Sequence, residues 1–312
     1  MDRLRRAAAM LPFAVLLGPA AIAGGHWGAE YFPNVALTTQ HGTEVHFYDD
    51  LIKGKAVVIS LVYTRCTASC PLETAKLAQV QRLLGDRVGK DVFFYSISID
   101  PEHDTPEALE AYARRFHVGP GWLFLTGKRD DIQLLSKKLG LSSLIDAVSR
   151  DGHQPALMVG NEPTGEWMRN SAVENPKFLA RMMSDFFGWK DGKPVRTYAA
   201  PAAPPRAGKG EYLFNTRCAA CHSIGKGDGL GPDLLNVTAL RERAWLARYL
   251  AEPDRMLAEG DGVAAALFAR YKNVRMPNLG LNDEEVNALL SHIEKQSRLA
   301  LEQKHPTAPP AR

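Results

Sequence analysis

The chain is short of cysteine, of net charge and of long apolar runs. Four cysteines among 312 residues are too few to staple a scaffold of this size, so stability has to come from hydrophobic cores. All four fall in two close pairs, Cys66 with Cys70 and Cys218 with Cys221, a distribution that points to chemistry over scaffolding. The formal charge is only +3, and Arg3, Arg5 and Arg6 against Asp2 supply two of those three charges. The remainder has no basic footprint, which argues against nucleic acid as a partner. Beyond the first 23 residues no segment approaches the roughly 20 apolar residues that span a bilayer, so a polytopic membrane protein is excluded. No internal repeat is present. What is there, 45% hydrophobic and 23% charged residues, is an ordinary globular composition that excludes disorder and collagen-like structure. The length suits two domains of the usual 100–200 residues or so.

The N-terminus has a basic start, M-D-R-L-R-R, followed by an apolar stretch ending in Ala21-Ile22-Ala23. Small residues at the last and third-last positions make 1–23 a signal peptide cleaved before Gly24. The alternative is an uncleaved N-terminal membrane anchor, weakened by Pro12, Gly18 and Pro19. Either reading takes the chain out of the cytoplasm, to the periplasm or an equivalent space. One seam divides the body, A-A-P-A-A-P-P-R-A at 199–207, where proline favours an extended spacer. The expected layout is a first domain over 24–198, this linker, a second domain over 208–299 and a disordered tail over 300–312.

In the first domain strands and helices alternate. Ala56–Tyr63, Val92–Ile99 and Trp122–Leu125 are β-branched and aromatic runs of buried-strand length. Helical spacing covers Pro71–Leu84, Thr105–Phe116 and Asp130–Leu139, with Thr105-Pro106-Glu107 a clear start signal. A hairpin over 156–159 and 166–169 and a helix opened by Asn175-Pro176 complete an α/β domain of thioredoxin-like layout. After the seam the strand signals vanish. Helical patterns at about 208–217, 242–252, 262–272 and 283–299 make the second domain all-α.

Cys66-Thr67-Ala68-Ser69-Cys70-Pro71 lies between a strand and the start of a helix. There the helix dipole favours thiolate over thiol, and three intervening residues let both sulfurs converge on one soft metal ion. A structural disulfide this short would constrain the unfolded chain little. Copper(I) suits two thiolates and an imidazole. The histidines available are His26, His41, His46, His103, His117 and His153. His103 and His153 both stand at strand junctions, and spacing alone does not choose between them.

Y-T-R-C-T-A-S-C-P, the downstream S-I-D-P-E-H-D-T-P-E and a histidine some eighty residues after the second cysteine resemble the Sco/SenC proteins. These are thioredoxin-fold copper proteins that assist assembly of the dinuclear copper centre of cytochrome c oxidase. The resemblance covers residues 30–190 or so. It implies Cys66, Cys70 and His153 as copper ligands and Asp100 beside the site in a supporting position. Many members carry an acid directly before the histidine, whereas here Gly152 follows Asp151, which leaves the partner that orients His153 open.

Cys218-Ala219-Ala220-Cys221-His222 is a C-x-x-C-H motif, in which two thiols add to the porphyrin vinyls and the histidine becomes an axial iron ligand. Of the methionines, only Met256 and Met276 follow it. Met276 precedes Pro277 on a stiffened loop, and Asn282 with Glu285 starts the next helix. Met256 is expected to pack, and His292 and His305 are remote substitutes for the distal ligand. With Gly231-Pro232-Asp233-Leu234, this stretch resembles class I cytochrome c over about residues 208–297. The resemblance implies haem c held by Cys218, Cys221, His222 and Met276.

The expected protein is an exported copper-binding assembly factor whose fused haem domain exchanges single electrons with the copper/thiol site. Its expected partners are the copper-centre subunit of cytochrome c oxidase and other periplasmic redox proteins. Copper delivery is a binding function. The enzymatic alternative is a thiol–disulfide oxidoreductase that uses Cys66 or Cys70 to keep the oxidase cysteines reduced. A thiol peroxidase is a third reading, disfavoured by the second close cysteine and Pro71.

Overall fold

A computed structural model describes residues 27–141, 155–189 and 208–304. The signal peptide or anchor, the 199–207 spacer, His26, His153 and His305 lie outside the described residues. Seven strands form one sheet: β1 (Ala36–Thr39), β2 (Glu44–His46), β3 (Ala56–Val62), β4 (Phe93–Ser98), β5 (Trp122–Gly127), β6 (Ala156–Asn161) and β7 (Glu166–Ser171). Their spatial order is β2-β1-β5-β4-β3-β6-β7. β3, β4 and β5 run parallel, while β6 is antiparallel to β3 and β7 to β6.

Alternation along β3 shows why the sheet carries helices on both faces. Val58 and Val62 enter one buried cluster with Phe94, Leu109, Tyr112, Leu179 and Met183. Val57, Ile59 and Leu61 enter the opposite one with Tyr95, Ile97, Ile132 and Leu135. The first cluster is covered by α1 (Cys70–Leu84), α2 (Pro106–Arg115) and α4 (Pro176–Phe186), the second by α3 (Arg129–Lys138). Helix starts follow the sequence. The Thr105 hydroxyl accepts from the N–H of Ala108, and Asn175 Oδ1 accepts from those of Lys177 and Phe178. This is the expected α/β thioredoxin-like domain.

The second domain is all-α over its described residues, as expected. It contains α5 (Lys209–Leu213), a wider helical turn over Phe214–Cys218, α6 (Val237–Leu240), α7 (Arg243–Ala251), α8 (Pro253–Ala258), α9 (Gly262–Arg270) and α10 (Asp283–Lys304). Leu213, Phe214, Leu246, Val286, Leu289, Leu290 and Ile293 form its core. Gly210 brings α5 against α10: a Cβ there would lie 2.1 Å from the carbonyl oxygen of Ala288. Asn282 and Glu285 form the expected reciprocal cap, each side chain accepting from the other's backbone N–H at 3.0–3.1 Å.

Two elements are present that the sequence patterns do not announce, and one expectation is corrected. The first is the β1–β2 hairpin. The second is α8, opened by Pro253, which holds Met256. The disordered tail expected over 300–312 does not include residues 300–304, which belong to α10; residues 305–312 lie outside the described residues. Among the described residues no helix is long and apolar enough to cross a membrane.

Candidate functional site

β3 delivers the chain to the first cysteine pair and α1 begins on its second member. Cys66 is 2% and Cys70 1% exposed, and their thiols are hydrogen-bonded to each other. Both are free. The expectation that the helix start favours a thiolate is reversed at Cys70. Burial pushes its thiol well up, followed by the bond to Cys66, that sulfur's charge and the nearby Glu73 carboxylate. In an apolar wall, desolvation outweighs the dipole. Two adjacent sulfurs in an apolar recess are a donor set suited to a soft, monovalent copper ion.

The loop before Cys66 is pinned by an acid that sequence reasoning did not single out. Asp104 is fully buried and accepts from the N–H of Thr64 (3.2 Å), the Thr64 hydroxyl (2.6 Å) and the Ser98 hydroxyl (2.5 Å). Burial nevertheless raises its pKa, with those hydrogen bonds opposing. Asp100 lies beside the same loop, next to Arg65. Its carboxylate, 1% exposed, holds the Arg65 guanidinium at 3.0 Å and His103 Nδ1 at 2.9 Å. His103 is thus gathered with Asp100 and Arg65. Ligand atoms of Asp100, Glu102 and His103 lie within 4.8 Å of one another, but Arg65 and Arg129 already pair with the two carboxylates. The start of β6 lies alongside the end of β3, with Leu157 paired to Ser60, so the chain enters β6 at the cysteine end of the sheet.

The second pair opens on a cavity of about 540 Å³, within the usual range for a bound cofactor. Cys218, Cys221, His222 and Met276 all line it, with Leu234, Leu246 and Phe268 among the apolar walls. The His222 ring lies against Gly231, where a Cβ would come 2.5 Å from Cε1. Its Nδ1–H donates to the carbonyl of Pro232 at 2.9 Å, which leaves Nε2 for a metal. Burial lowers the His222 pKa, against the opposing pull of that bond, and so keeps the ring in its ligating neutral form. Burial also pushes the Cys218 and Cys221 thiols up to about 12. Met256 is buried at 1% exposure and does not line the cavity, and His292 packs on Phe214. The donor set and the apolar walls fit a covalently attached haem.

The two sites meet. Thr67, between Cys66 and Cys70, lines the haem-sized cavity. Its carbonyl accepts from the backbone N–H of Asn278 at 2.7 Å, two residues after Met276. On α1, Gln79 Nε2 donates to the carbonyl of Ala220 at 3.2 Å, between Cys218 and Cys221. Ala220, Cys221, Leu230 and Val274 pack against the first domain's core.

Residues 28–153 match the SCO1/SenC family model and residues 207–297 the cytochrome c family model. An SCO2-like protein of Rickettsia conorii is 33% identical over 92 residues, 30% of this chain and 43% of that protein. A protein of Stutzerimonas stutzeri named for copper binding is 28% identical over 132 residues, 41% of this chain and 61% of that protein. These two alignments thus span about half of the relatives' own lengths. The crystal structure of a SCO1/SenC family lipoprotein from Bacillus anthracis aligns with a TM-score of 0.43 and 26% identity, covering 52% of this chain and 98% of that one.

Proposed function

Starting from a chain that joins a SCO1/SenC domain to a cytochrome c domain, we propose that it is an extracytoplasmic copper-handling protein whose haem domain exchanges single electrons with the copper/thiol site. Copper is its cargo, held by Cys66, Cys70 and His153. Haem c is its resident cofactor, tethered by Cys218 and Cys221 with His222 and Met276 on the iron. The cargo is destined for the dinuclear copper centre of cytochrome c oxidase. The observation that carries the electron-exchange reading is the contact between Thr67 and Asn278, which sets one loop from each site against the other.

Bound haem supplies a one-electron couple, which matches copper(II)/copper(I) one for one. Opening or closing a Cys66–Cys70 disulfide takes two electrons. Methionine/histidine ligation raises a haem's potential, while protein disulfides lie at about −120 mV or below, so reduction of that disulfide is the wrong direction for this pair. The residues act by position. Asp104 and Asp100 fix the approach to Cys66, Pro232 fixes the tautomer of His222, and the recess keeps water from both sulfurs.

Copper and haem quantitation on the protein expressed with its own leader tests the binding part: about one equivalent of each is expected, with copper lost in His153→Ala. Insulin reduction that survives His153→Ala, without copper retention, would instead favour the thiol–disulfide oxidoreductase. For electron exchange, stopped-flow mixing of the ferrous protein with its disulfide form should show no fast haem-driven thiol formation, whereas copper(II) loading should oxidise the haem in a concentration-independent phase.

A further inference from the structure

We infer that Gln79 and Asn278 are positioning residues, which dock the haem-binding loops onto the thiol loop and close it against solvent. This inference rests on the electron-exchange reading for its purpose but not for its geometry. The two hydrogen bonds come from the two segments that supply the cavity's His222 and Met276. Ala220 belongs to the C-x-x-C-H segment and Asn278 to the Met276 loop. On the first domain both partners fall within the thiol motif and the helix it starts, at Thr67 and Gln79. Four residues drawn from the metal- and haem-binding segments of both domains therefore form the contact.

Asn278 is itself braced. Its side chain donates to Asp254 at 2.9 Å and accepts from the Gly280 N–H at 3.0 Å, so the donor aimed at Thr67 is held by α8 and by the loop beyond. The burial of α1 is the independent sign of a seam. A helix covering one face of a sheet keeps a wet side, yet every residue from Cys70 to Ala78 is buried, Glu73 and Lys76 included. Lys76 reaches the carbonyls of Val173 and Glu174 and feels the charge of Arg217 from the haem domain. Cys221, Leu230 and Val274 add an apolar contact with the first domain's core.

The test measures alkylation of Cys66 and Cys70 by iodoacetamide in the full haem-loaded, copper-free chain, where Cys218 and Cys221 are thioethers and do not react. Gln79→Glu replaces the donor by a carboxylate facing the Ala220 carbonyl. Gln79→Lys keeps a donor of similar reach. Loss of one neutral hydrogen bond shifts the docked-to-undocked ratio about fivefold. Gln79→Glu should therefore react about fivefold faster than the unaltered chain or more, with Gln79→Lys within about twofold of it. Asn278→Ala keeps the backbone donor but loses its bracing, and should fall between them. Far-ultraviolet circular dichroism and the haem spectrum verify that each variant is folded, and Gln79→Lys remains the reference if Gln79→Glu is not. Equal alkylation in all four proteins overturns the inference. Slow alkylation in the unaltered chain, relieved in Gln79→Glu, without concentration-independent electron exchange in either, would leave the seam standing and overturn the electron-exchange reading instead.

Discussion

The Nδ1–H of His222 donates to the carbonyl oxygen of Pro232 at 2.9 Å, and this one bond decides which ring nitrogen faces the cavity. The ring is trapped between that carbonyl and the backbone of Gly231. Gly231→Ala places a Cβ 2.5 Å from His222 Cε1 without help from any left-handed φ, so the contact alone has to be relieved. The ring is the movable partner. Haem should stay attached through Cys218 and Cys221 while histidine ligation weakens, read as an altered optical spectrum and a lower potential.

The two methionines of the second domain should separate cleanly. Met276→Ala leaves haem attached and the fold intact but lowers the haem potential, since methionine is the ligand that raises it. Met256→Ala should leave spectrum and potential unchanged and cost about 2–5 kcal/mol of stability, as for other fully buried methionines cut to alanine. Redox titration and thermal melting of the two variants check both.

Cys70 should make copper binding depend on pH. Its thiol is held up by burial, so it stays protonated through neutrality and gives up a proton when copper binds. Apparent copper(I) affinity should rise by about tenfold or more per pH unit from pH 6 to 8. Competition with a chromophoric chelator at several pH values measures the slope, and a flat profile would mean that Cys70 binds as a preformed thiolate.

Asp104 offers a stability signature. Removing it in Asp104→Ala leaves the Thr64 and Ser98 donors without their buried acceptor, at a cost on the order of 3 kcal/mol, and loosens the approach to Cys66. Its folded pKa is raised, so the neutral form is favoured in the fold. The associated stability is complete below the ordinary aspartate value of about 3.9 and is lost as pH rises through the folded value. The stability difference between the unaltered chain and Asp104→Asn should shrink as pH rises across that window, measured by urea unfolding.

Much of this was legible in the residues. β3, β4 and β5 are long β-branched and aromatic runs, and the starts of α2, α4 and α10 have capping side chains that the structure uses as expected. β1 and β2 were not read because strands of four and three residues with Thr38, Thr39 and Glu44 among them have no periodicity to detect. Pro253 stops α7 and starts α8, and a proline reads the same either way. The thiolate expected at Cys70 is reversed because helix dipole and desolvation oppose each other, and only burial decides between them. The seam was invisible because Thr67, Ala220 and Asn278 contribute backbone groups, which every residue type possesses.

Thr67 in the wall of the haem cavity has a consequence for how the molecule is made. Cys221 packs against the first domain's core, so the machinery that forms the thioethers has to reach it before that surface closes. The expected order of maturation is haem attachment first and closure of the seam second, with Thr67 added to the cavity wall last.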